Sequence, residues 1–176
     1  MNAIRWLLLT VPVFASAIAL AQSPGPTDPQ IAAIVVAANQ ADIDAGKLAE
    51  SKTQSKDVKA FAQRMVTDHT SVNQAAVNLV NKLGVKPAAN PTSDSLTKGG
   101  EENTANLKTL QGASFDRAYI DHEVTYHEQV IDALDKTLIP SAKNAELKEL
   151  LVKVRPAFVA HLDHAKHLQA SLANVQ

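Results

Sequence analysis

Four stretches of this chain repeat apolar side chains every three or four residues, and none alternates them in twos. A period near 3.6 is the signature of helices with one buried face, and the valines and isoleucines that strands would need follow it too. Ile31, Ile34, Val35, Ala38, Ala45 and Ala49 share a face and predict a first helix from about Pro29 to Lys52, in which Gly46 allows a close neighbour. Ser55 reads as an N-cap for a second helix carrying Val58, Phe61, Met65, Val72, Ala76, Leu79 and Leu83, closed by Gly84. A third, with Ser114 as cap and Asp116 in its first turn, is expected from about Phe115 to Leu138. After a turn at 140–144, a fourth runs from about Ala145 to Leu172, with Pro156 expected to kink it about one turn before His161. Val85 to Ser95 reads as a proline-containing loop, and Leu96 to Leu110 as a weak helical segment interrupted at Gly99-Gly100. Short connections make sequential helices antiparallel neighbours. The expected fold is therefore all-α: an antiparallel four-helix bundle with a long, partly helical crossover between helices two and three.

The 176 residues suffice for one core and not for two comfortable domains. Arg5, an apolar run from Trp6 to Leu20 and the small residues Ala19-Leu20-Ala21 form a secretory leader with cleavage expected after Ala21. Residues 22–29, with three prolines and a glycine, read as an extended linker whose Asp28-Pro29 pair can open a helix, and 30–176 as the bundle domain. No later stretch reaches the ~20 apolar residues of a membrane-spanning helix, so the expected location is periplasmic or otherwise exported, with no transmembrane segment after cleavage. The absence of cysteine excludes disulfides, thiolate metal sites and a lipid attached at the cleavage point. A formal charge of −1, with no basic run, argues against nucleic acid as a partner. Hydrolase, kinase and dehydrogenase readings find no nucleophile motif, phosphate-cradling loop or dinucleotide fingerprint.

The polar residues on the buried side carry more information. In YIDHEVTYHEQV (119–130) the apolar positions place Glu123 and His127 at the centre of the inward face, with His122 on the flank, solvated, and Glu128 outside. The same projection puts His69 among Met65, Val72 and Ala76, with Asp68 toward the edge, and His161 among Val154, Phe158, Ala165 and Leu168. His164 falls on the flank and His167 outside. Asp42 lies inside the face of the first helix and Asp44 outside. A single inward histidine is usually a hydrogen-bonded core residue. Five inward ionisable groups on four helices are different, because buried polar groups cost free energy unless neighbours satisfy them. Two arrangements do so: a closed hydrogen-bond network, or one metal ion held by His69, His127, His161, Glu123 and Asp42, a donor set that suits zinc, iron, manganese or copper.

Depth along the bundle tests that convergence. From a turn at Gln54, Asp42 is 12 residues back and His69 is 15 forward, a mismatch of roughly 4.5 Å. From a turn at Ser141-Ala142, Glu123 is level with His161, while His127 lies four to five residues nearer the turn, roughly 7 Å away.

The segments DIDAGKLA (42–49), VKAFAQRMVTDH (58–69), GASFDRAYIDHEVTYH (112–127) and PAFVAH (156–161) resemble, in order and spacing, the bacterial secreted family called domain of unknown function 4142. The resemblance covers nearly all of the chain after the leader. It implies a ferritin-like fold and a frequent label of predicted outer-membrane protein, and it supplies no settled activity. Ferritin-like di-iron proteins carry Glu-x-x-His on two helices. Here Val66 and Phe158 stand three residues before His69 and His161, and Asp42 stands where the family commonly has Glu. Two inward carboxylates are too few for an ordinary carboxylate-bridged di-iron centre, so no ferroxidase or oxygenase activity follows from the fold. The functional expectations are an exported bundle binding one transition metal, a metal-free structural or stress-related bundle with a buried polar network, or a helical interaction module.

Overall fold

The computed structural model describes residues 25–174, and within them the chain is helical with no strand. The leader expected over 1–21 and the first residues of the linker lie outside the described residues. Five long helices are present: α1 Asp28–Lys52, α2 Lys56–Lys82, α3 Pro91–Thr109, α4 Gly112–Ala133 and α5 Ala145–Ala173. Between α4 and α5 come a π-helical turn, Leu134–Leu138, and a last helical turn, Ile139–Ser141. No helix among the described residues is long and apolar enough to cross a membrane.

The linker ends at Thr27, because Asp28 and Pro29 already belong to α1. Gln30 Oε1 accepts the Thr27 N–H at 2.9 Å, satisfying a donor that no helical carbonyl reaches. Ser55 caps α2 as its sequence predicts, accepting the Val58 N–H at 3.3 Å. Gly84, at φ 64°, takes the left-handed position that closes α2, with the Val85 N–H returning to the Val80 carbonyl at 3.0 Å.

α1, α2, α5 and α4, each antiparallel to its neighbours, surround an interior whose apolar side chains form two clusters, one around Phe61, Met65 and Tyr119 and one around Ile31, Leu134 and Leu151. Lys82 of α2 reaches Glu146 near the start of α5, and Asp68 reaches His161 farther along. Across α1 and α4, the Tyr126 hydroxyl donates to the Ala38 carbonyl at 3.0 Å, and Lys52 lies over the Phe115 ring. A Cβ at Gly46 would come within 2.9 Å of Val66 Cγ2, the close α1–α2 approach its glycine predicts.

The crossover departs from the sequence reading. Residues 91–95 belong to a helix, and α3 continues unbroken through Gly99-Gly100. Asn90 is its N-cap, accepting from the Thr92 and Ser93 N–H groups at 3.1 and 3.2 Å, and Pro91 takes the first helical position, where a missing N–H costs nothing. Gly100 reflects packing: a Cβ there would meet the Ala41 Cβ at 2.7 Å, so the glycine lets α3 lie directly on α1.

α4 also starts earlier than expected, at Gly112, so Ser114 lies within the first turn and does not cap it. At its far end α-helix gives way to the π turn, where the Ile139 N–H bonds to the Leu134 carbonyl. Pro140 has no N–H for the carbonyl four residues earlier and its ring would press on that carbonyl; the wider turn just before it relieves both constraints. The connection to α5 is therefore 142–144, where Asp28 accepts from the Lys143 and Asn144 N–H groups at 2.8 and 2.9 Å. α5 runs through Pro156 without interruption.

Candidate metal centre

All five inward residues expected from the sequence are buried: Asp42 and His69 are 3% and 2% exposed, Glu123 and His161 0%, His127 1%. The imidazoles converge. Ring centroids are 5.6 Å apart for His69 and His127, 5.3 Å for His69 and His161, and 5.4 Å for His127 and His161. One ring nitrogen from each of the three lies within 4.8 Å of the others. A second group, Asp42, Glu123 and His127, meets the same limit, so His127 joins the imidazole trio to the carboxyl pair.

The depth gap anticipated for His127 is absent because the turn lies farther along the chain. Centred on Lys143, it leaves His161 midway between Glu123 and His127 in residue count, roughly 3 Å from each along the axis. The same count identifies a residue the sequence reading overlooked. Asn39 is as far from Gln54 as His69 is, and its Oδ1 lies 2.6 Å from His69 Nδ1. Asp68, assigned only to an edge, reaches in to His161 Nε2 at 2.8 Å and is also held by Arg64 at 3.3 Å. His122, expected in solvent, is half-buried and stacked on Tyr126 at 5.5 Å, its pKa lowered chiefly by burial.

These outer partners fix the tautomers. The Asn39 amide nitrogen donates to the Val35 carbonyl at 2.8 Å, which turns Oδ1 toward His69 and places the ring proton on Nδ1. His127 donates from Nδ1 to the Glu123 carbonyl at 3.0 Å, and His161 donates from Nε2 to Asp68. Each ring therefore keeps one lone pair: Nε2 of His69, Nε2 of His127 and Nδ1 of His161. All three nitrogens are buried without a hydrogen-bond partner. Asp42 Oδ2 lies 3.2 Å from His69 Nε2 and a carboxyl proton there would serve that ring alone. The other two face no donor.

Burial pushes all three imidazoles down to about 4, so they are neutral near pH 7. It pushes the carboxyls the other way. Glu123 is raised well above the usual range by desolvation and then by the Asp42 charge, while Asp42 is raised by desolvation against the opposing influence of His127. The raised carboxyls favour keeping a proton on the pair.

Neither Glu-x-x-His position has become a disguised ligand. Phe158 stacks on His69 with centroids 5.1 Å apart, and Val66 packs toward Gly46. The centre is nitrogen-rich, with a carboxyl pair on one side only. A donor set of three imidazoles plus carboxylate fits a single transition ion and does not fit a carboxylate-bridged pair of irons.

A family model described as domain of unknown function (DUF4142) matches residues 13–168. No curated protein matches the chain, and no solved structure matches it.

Proposed function

The chain belongs to the DUF4142 family, and from the three converging imidazoles we propose that it binds one transition metal ion in the core of its bundle. The observation that carries this reading is the set of three buried ring nitrogens left with lone pairs and no hydrogen-bond partner, of which only His69 Nε2 has a carboxyl, that of Asp42, within reach. A closed hydrogen-bond network needs a proton for every acceptor, and the neighbourhood offers the imidazoles none beyond one carboxyl. A cation satisfies all three at once, with an oxygen ligand from the Asp42–Glu123 pair. Asn39, Asp68 and the Glu123 carbonyl then act as the outer partners that hold ligating histidines in one tautomer. Nitrogen-rich donors favour zinc or copper over manganese, with iron between. Export also belongs to this reading, with the mature chain beginning at Gln22, so that the ion is acquired outside the cytoplasm.

Elemental analysis of untagged protein, followed by melting of chelator-treated samples with and without Zn²⁺, Mn²⁺, Fe²⁺ and Cu²⁺, tests the proposal. One equivalent of metal and a stabilisation of about 3 kcal/mol at a hundredfold excess over Kd are expected. Ligand distances of about 2.0 to 2.2 Å should follow for zinc. His69→Ala should abolish the metal-dependent rise. Sub-stoichiometric metal with unchanged melting temperatures would leave the metal-free structural reading in its place.

A further inference from the structure

Beside the histidine cluster lies a cavity of about 530 Å³. It opens to solvent on one side, and it leaves aliphatic side chains facing a space that closer approach of the helices would have removed. Its volume is that of a small-molecule site. On α1 the lining extends from Gln30 to Asp42, roughly 18 Å along the axis, so the space is long and narrow. Its walls are aliphatic, with Ile34, Val35, Leu134, Leu151 and Val154 among them, and no lysine or arginine lines it.

The two ends differ. Thr92, Gln129 and Thr137 are exposed and form an outer rim. Asn39, Asp42 and His69, all buried, form the inner end, where His69 Nε2 has no partner. The π turn contributes Leu134, Thr137 and Leu138 to the wall. Such turns are rare and collect at functional sites.

We propose that this cavity binds an extended aliphatic molecule with a terminal hydroxyl, its chain along α1 and its hydroxyl against Asp42 and His69. A hydroxyl both donates and accepts, so it matches Asp42 with or without its proton and also matches the imidazole lone pair. In the ion-free protein a carboxylate head would meet the His69 lone pair and at best one carboxyl proton, with no lysine or arginine beside it, and burying it so poorly paired is costly. The cavity wall includes neither His127, His161 nor Glu123, so the site stands without a bound ion. If an ion takes the His69 nitrogen and Glu123 supplies its oxygen ligand, Asp42, which unlike Glu123 lines the cavity, remains for the hydroxyl.

The test uses chelator-treated protein recovered from expressing cells, so that failure here is separate from failure of the metal proposal. The neutral fluorophore N-phenyl-1-naphthylamine should bind saturably at one equivalent and be displaced by 1-decanol, with decanoate at least tenfold weaker. Ala133→Phe and Thr137→Trp, which place bulk in the wall, should each weaken decanol binding at least tenfold while leaving the helical circular dichroism spectrum of the metal-free protein intact. Intermolecular NOEs from decanol methylenes to the Ile34 and Val154 methyls should appear in the unsubstituted protein and do not depend on the variants folding. Absence of those NOEs at saturating decanol, folded blocking variants that bind as well as the parent, or decanoate binding as tightly as decanol would each overturn the proposal.

Discussion

Acidifying the metal-free protein should unfold it through the histidine cluster, with a slope that the structure sets. In the folded state the three imidazoles titrate at about 4, and in the unfolded chain near 6.5. A depressed histidine pKa contributes stability that is complete above the unfolded value and is lost as pH falls from about 6.5 toward 4. Each proton taken up on unfolding is worth about 1.4 kcal/mol per pH unit. The carboxyls oppose this. Glu123 and Asp42 have raised folded pKa values, so the pair holds a proton that the unfolded chain releases above its ordinary carboxyl range near 4. Three protons gained by the cluster against one lost leave a net uptake of about two, or about 3 kcal/mol per pH unit in the steep part of the window, to which His122 and His164, both lowered chiefly by burial, add. By pH 4.5 the loss approaches about 5 kcal/mol, comparable to the whole stability of many domains. Above about 6.5 the imidazole contribution is flat and the carboxyl proton dominates, so stability should decline again by about 1.4 kcal/mol per unit until Glu123 ionises. Metal-free protein should therefore be most stable near pH 6 to 7. Urea unfolding followed by far-ultraviolet circular dichroism from pH 4.5 to 9 measures this; the lone tryptophan, Trp6, lies in the expected leader. A stability that stays level or rises between pH 6.5 and 4.5 would refute the assignment of three neutral, solvent-excluded imidazoles.

Asn39→Ala should lower metal affinity 10- to 100-fold and destabilise the metal-free protein by about 1 to 3 kcal/mol, since His69 loses the acceptor that fixes its tautomer; calorimetric titration and urea unfolding give both numbers. Gly100→Ala should destabilise by about 1 to 3 kcal/mol despite alanine's helical preference, because the new Cβ meets another Cβ that cannot rotate away; a melting temperature at or above the parent's would contradict that packing. Intact mass of the exported protein should place its first residue at Gln22, and retention of residues 1–21 in a membrane fraction would count against a cleaved leader.

The four bundle helices and all five inward groups were legible because burial imposes a 3.6 period on apolar side chains, and a polar residue at the centre of such a stripe has no other direction to face. Asp68 was harder to see, since a residue at the edge of a stripe can turn either way. Only the position of His161 on a different helix decides that it turns inward. Asn39 was available through residue counting from the α1–α2 turn, but an uncharged amide draws less notice than a histidine. α3 was read only in part, as a weak and interrupted helical segment over 96–110, because its two glycines and Pro91 carry the usual marks of a loop. Pro91 behind an asparagine is equally the mark of a helix start, and Gly100 serves contact with a neighbouring helix that sequence alone does not place. The π turn has no local signal beyond the proline that follows it.

With α2 and α4 on its inner side and α3 lying on its outer side at Ala41, α1 keeps only a narrow strip in water, along Gln40, Asp44, Lys47 and Ser51. Ile31, Ala32, Ile34, Val35, Asn39, Asp42, Ile43, Ala45, Gly46 and Ala49 are all buried. Its run of alanines is thus a clearance requirement in two directions: a larger side chain that the inner contact would tolerate is refused by the outer one, and the reverse. In a scan of every possible substitution, the least permissive positions of the protein should therefore include the buried ones of α1, among them Ala32, Ala45 and Ala49, while Gln40, Asp44, Lys47 and Ser51 accept most changes. The exposed faces of α2 and α5 should accept most changes, even though those helices carry two of the three imidazoles.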